Sequence, residues 1–268
     1  MRGDTSPHNT PEKVLSNIRT THIRMSRADQ VLGIRRLTKF CNAVSRILYH
    51  IEPSLDGLNS THGVIGHGAD ITTLLISAAM ELESAWNVLR LANIPSARRQ
   101  GRVASEFIAI VVLLCIPRNK LVELPKRKAP ISYALRQNPS KSVFDLYEPI
   151  PVDPTDERKL KPILLATKFF TSFLYVAEYL LKIPSQTIQS FRNYREYVQH
   201  PASHGSSDVV WHYFEGFNAR TKLAGAYLSK KRYPGIRFEG DQLIALAELL
   251  ADILDWTTYE YLKKTEDA

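Results

Sequence analysis

Residues 241–264 read DQLIALAELLADILDWTTYEYLKK. In this stretch Leu243, Leu246, Leu249, Leu250, Ile253, Leu254 and Trp256 recur at steps of three and four, which is the spacing of one apolar face on a helix with about 3.6 residues per turn. Such a stripe must be buried against another element, and the rest of the chain supplies helices of the same kind. Leu37, Phe40, Cys41, Val44, Ile47, Leu48 and Ile51 mark a helix from about Ala28 to Ile51, stopped by Pro53. Asp70 caps a helix running to about Asn93, with Ile71, Leu75, Leu82, Trp86 and Leu89 on its stripe. Pro95 and Ser96 open another, in which Arg98, Arg99 and Arg102 precede the apolar run Phe107 to Ile116.

Eight prolines between Pro117 and Pro162 break the periodicity and predict a long crossover with single helical turns at most. Helical spacing returns at 163–183, again at 185–199 after Pro184, and over Asp208 to Leu228. No segment alternates as a strand does. The expected fold is therefore all-α: a helical bundle of about six to seven helices with a long proline-rich crossover. One bundle domain, 26–268 with an irregular insertion at about 117–162, follows a mobile basic N-terminal arm over 1–25.

With 44% hydrophobic and 23% charged residues, the chain of 268 residues has the composition of a folded globular protein, and neither disorder nor a fibrous architecture fits it. Its formal charge of +8 favours an anionic partner. The excess gathers in Arg19, Arg24, Arg27, Arg35, Arg36, Lys39 and Arg46, and again in the run Leu124-Pro-Lys-Arg-Lys-Ala-Pro130, where a solvated face is the simpler reading. Cys41 and Cys115 lie within apolar helical patterns, without metal-ligand spacing, and read as reduced core residues. The N-terminal residues lack the apolar core of a signal peptide, and the apolar run 107–116 is far short of the roughly 20 residues that span a bilayer. A cytoplasmic location with no membrane partner is expected.

The functional lead is the segment 191–205, FRNYREYVQHPASHG. On a helical wheel Arg195 falls inside the apolar arc of Ile188, Phe191, Tyr194 and Val198, where a guanidinium needs a carboxylate, a polar cleft or solvent. No acidic residue stands three or four positions away from it on the helix. Glu81 or Glu83 is the expected partner from a neighbouring helix. Arg192 differs, because Glu196 is placed four residues on to pair with it. Pro201 biases His200 out of the helical conformation, so the imidazole marks the helix end, and His204 follows in the loop. A guanidinium and an imidazole near one phosphodiester can bind charge and move a proton.

Arg195-Glu-Tyr-Val-Gln-His200 resembles the R-x4-6-H motif of HEPN-domain ribonucleases, small helical bundles of toxin, antiphage defence and RNA-processing systems. The resemblance implies RNA as partner, a homodimer, and metal-independent endoribonuclease cleavage that needs no cofactor. Arg195 and His200 would be catalytic, with Arg192, Asn193, Tyr197 and His204 binding substrate. Glu196 stands where the family usually has a small polar residue, so a degenerate relative is implied as much as an active enzyme. The alternative is a non-catalytic interaction module that binds nucleic acid or an acidic protein through its basic N-terminal region. A metal site at His62, His67 and Asp70 is weaker, since a Gly/His loop leading to an Asp cap explains the same residues.

Overall fold

The structure is a computed structural model that describes residues 11–51, 67–91, 93–141, 143–147, 166–199, 217–218, 223–224 and 233–258. Four long helices build the frame: α1 (Pro11–Tyr49), α2 (His67–Arg90), α3 (Ile94–Cys115) and α9 (Tyr233–Thr258). Between α3 and α9 lie α4 (Arg118–Glu123), α5 (Pro130–Gln137), α6 (Val143–Tyr147), α7 (Ala166–Tyr179) and α8 (Ser185–Tyr194). The fold is an all-α helical bundle, as the periodicity predicts. No helix among the described residues is long and apolar enough to cross a membrane.

α2 and α3 pack along each other, α1 packs along α9, and α3 also meets α7. The run 108–116 is buried throughout, because α3 is covered on several sides. Asn93 starts this helix by accepting the Ser96 backbone N–H at 3.2 Å on its side-chain oxygen. Trp86 stacks on Phe40 with ring centroids 4.7 Å apart, joining α2 to α1. At Gly240 α1 comes so close to α9 that an added Cβ would lie 2.6 Å from Leu32 Cδ2.

Several expectations need correction. The first helix starts at Pro11, not near Ala28, and so extends across most of the segment read as an arm. It is interrupted at Gly33, whose φ of 66° and ψ of 158° fall where essentially only glycine is comfortable. The α2 helix begins at His67, ahead of the expected Asp70 cap. Cys41 and Trp256 are exposed, whereas Cys115 and Trp86 are core residues. Burial pushes the Cys115 thiol up to about 12. In the stretch read as a helix over 208–228, Phe217–Asn218 and Leu223–Ala224 pair antiparallel, so a continuous helix does not cross them.

In its described residues, which end at Tyr147, the proline-rich crossover is more ordered than its composition suggests. Leu121, Leu124, Ala129, Ile131, Leu135 and Leu146 from it are buried in the common core. Polar ties hold the segment. Arg118 donates to the Leu135 carbonyl at 2.7 Å and to that of Asn138 at 3.2 Å, which satisfies carbonyls at the end of α5. The Ser132 hydroxyl donates to the carbonyls of Val122 and Leu124, and Ser172 of α7 accepts the Ile131 N–H at 3.1 Å. The turn carrying Arg127 and Lys128 is thereby fixed against α7.

Candidate functional site

Helix α8 follows Pro184 and buries Ile188 and Phe191. Phe191 packs edge-on to Phe170 and Phe173 of α7, with centroids 5.5 and 6.5 Å away. Immediately after Tyr194 the helix widens into a π-helical turn, Arg195–Gln199. Such turns are uncommon and are often found at functional positions.

Arg195 is only 7% exposed, in keeping with its place on the apolar arc. One of its terminal nitrogens donates to Glu106 Oε1 at 2.6 Å, and its guanidinium carbon lies 3.7 Å from the centroid of the Phe170 ring. Its Nε is buried and has no hydrogen-bond partner among the described residues. Arg102 Nε reaches the same Glu106 oxygen at 3.0 Å, so one carboxylate serves two arginines. Burial pushes the Arg195 guanidinium below the ordinary arginine value, against the opposing pull of Glu106. The partner is therefore Glu106 on α3, not Glu81 or Glu83, which stand on α2 half-buried and exposed respectively.

A second polar tie fixes the same helix. The buried Glu239 of α9 accepts the Tyr194 hydroxyl at 3.0 Å and Arg98 Nε at 2.9 Å. Burial, reinforced by the Glu239 charge, pushes the Tyr194 phenol well above the usual tyrosine value. Arg98 and Arg102, near the start of α3, are thus neutralised by the protein's own carboxylates.

Above Arg195 opens a cleft of about 670 Å³ between α7, α8 and the turn after α4. Five cations line it: Arg127, Lys128, Lys182, Arg192 and Arg195, against the two carboxylates Glu178 and Glu196. Phe170, Tyr175 and Tyr179 give it an aromatic wall. The expected Arg192–Glu196 pair does not form among the described residues, and Arg192 faces the cleft without an ion-pair partner. The π-helical turn begins at Arg195, between the two residues of that spacing. Asn193 is exposed, accepts Gln189 Nε2 at 2.8 Å and does not line the cleft. His200, His204 and the Tyr197 side chain lie outside the described residues, as do His62 and the side chains of His67 and Asp70.

No protein-family model, curated protein or solved structure matches the chain. The functional reading rests on the residues themselves. Sequence reasoning singled out Arg195 and Arg192 but missed Glu106, Lys182 and the tyrosine pair. Glu106 had a visible signal, its four-residue spacing from Arg102. The basic run at 124–130, read as a solvated face, contributes Arg127 and Lys128 to the cleft instead.

Proposed function

We propose that this protein binds RNA in the cleft above Arg195, as a HEPN-like helical module whose motif arginine is a fixed part of the binding floor. The observation that carries the reading is the convergence of five cations and three aromatic rings on one concave surface of about 670 Å³. Phosphates supply the charge such a surface lacks, and bases supply flat apolar faces for its rings. Two cations of the N-terminal basic region are poorer candidates for this role. Its Arg36 and Arg46 are already spent on Asp241, Asp252 and Asp255 of α9.

The ribonuclease reading keeps one observation in its favour, namely that Arg195 lines this cleft. Against it, Arg195 is held by Glu106 and stacked on Phe170, and a group so neutralised is poorly suited to stabilising new charge on phosphorus. Labelled single-stranded RNA incubated without metal, beside Arg192→Ala, Arg195→Ala and His200→Ala variants, separates the two. Binding without cleavage, weakened in Arg192→Ala, is the expected result. Cleavage by the wild type that disappears in both Arg195→Ala and His200→Ala would establish the enzyme instead.

A further inference from the structure

Tyr175 and Tyr179 stand one turn apart on α7 with their rings parallel, 10° between planes and 5.4 Å between centroids. Tyr179 is 53% exposed. Each ring carries an ammonium over its face: Lys128 Nζ lies 5.6 Å from the Tyr175 centroid and Lys182 Nζ 4.9 Å from that of Tyr179. A lysine above a solvent-facing ring is weakly held, so a flat ligand can take its place while the ammonium swings to a neighbouring anion.

Lys182 adds an independent observation. It has a φ of 58°, a left-handed conformation three residues beyond the end of α7, where the Ile183 N–H turns back to the Ala177 carbonyl at 3.0 Å. Glycine is the residue that costs least there, yet the position carries a long cationic side chain directed over Tyr179 and into the cleft. Arg192 lies across the same space and below it Arg195 has a buried nitrogen, the first without an ion-pair partner and the second without a hydrogen-bond partner among the described residues. The site thus pairs an exposed aromatic ring, covered by a displaceable lysine, with further cations at its edge. That is the alternation of base and phosphate in a single strand. In a duplex the base faces are already stacked and the phosphates lie outside, so neither half of the surface is satisfied at once.

We infer that the cleft selects single-stranded RNA, stacking one unpaired base on Tyr179 while Lys182 and Arg192 hold the phosphates beside it. This rests on the RNA-binding reading above and adds to it the strand state and the residue that reads it.

Fluorescence anisotropy with three probes tests it: a short single-stranded RNA, the same RNA as a duplex, and inorganic polyphosphate of similar length. The wild type is expected to bind the single strand at least about tenfold more tightly than the other two. Tyr179→Leu should lose about tenfold for the single strand and nothing for polyphosphate, and Tyr179→Phe should recover the loss. Equal binding of single strand and duplex, or unchanged single-strand binding by Tyr179→Leu, overturns the inference while leaving RNA binding intact. Absence of binding to either RNA overturns both readings. Because Tyr179 is exposed, the leucine variant is expected to fold, and an unchanged urea midpoint verifies that.

Discussion

At the scale of single residues, the chemistry turns on how buried polar groups are satisfied. Arg195 was legible as an anomaly, a charge on an apolar arc, because helical periodicity fixes which face a residue takes. Its partner was not legible, since Glu106 is 89 residues away and helix packing alone joins them. Removing one member of a buried ion pair leaves the other uncompensated, and Glu106→Ala is expected to cost about 3 kcal/mol of stability in urea unfolding, with Glu106→Gln losing less. Lys182→Gly should act in opposite directions on two readouts. Relief of the left-handed backbone raises stability by about 1 kcal/mol, and loss of the cation weakens RNA binding. Tyr194 yields a pH dependence. Its phenol stays protonated in the fold above pH about 10, where an unfolded chain releases that proton, so the native state binds more protons and stability falls as pH rises through that range. The decline in urea midpoint between pH 8 and 11 should be shallower in Tyr194→Phe, which cannot ionise.

At the scale of elements, the four long helices were readable because each carries a stripe whose period survives any packing, and Pro53, Pro95 and Pro117 mark ends among them. Two features depart from periodicity and were hidden for that reason. Gly33 breaks α1 without breaking its apolar stripe, since Leu32 and Phe40 remain buried on the two sides of it. The π-helical turn at Arg195 is a change of backbone geometry that no residue type announces, and the Arg192–Glu196 pair that spacing promised does not form among the described residues. The crossover was underestimated because proline was weighed as a breaker, whereas Pro130 sits in the first turn of α5, where its missing N–H costs nothing. Gly33 gives the element-level test. Nothing lies within 4 Å of a Cβ placed there, so Gly33→Ala meets no clash and pays only backbone strain, about 1–2 kcal/mol, measured as a lower urea midpoint. Substituting Ile34→Ala, an exposed neighbour, should leave the midpoint nearly unchanged and serves as the control.

At the scale of the whole molecule, a charge of +8 says that an anion is favoured but not where it goes. The structure sets two groups of cations apart. Arg36 and Arg46 of α1 are paired with the acidic side of α9, Arg36 2.6 Å from Asp241 and Arg46 2.7 Å from Asp252, while His50 is buried between Asp255 and Thr258. Those of the cleft, Arg127, Lys128, Lys182 and Arg192, have no carboxylate bonded to them among the described residues. Binding of a single strand releases counterions in proportion to the phosphates neutralised, with a slope near 0.7 per contact in log affinity against log salt. Four free cations therefore set an expected slope of about −3 for wild-type binding, and replacing Arg192 or Lys182 by alanine should reduce its magnitude by about 0.7 each. Arg36→Ala and Arg46→Ala remove charge from the same net total but from cations already neutralised, so their slopes should match the wild type. Titrations across a range of potassium chloride concentrations measure all five proteins. A slope that falls equally in every variant would mean that the net charge, not the cleft, attracts the RNA.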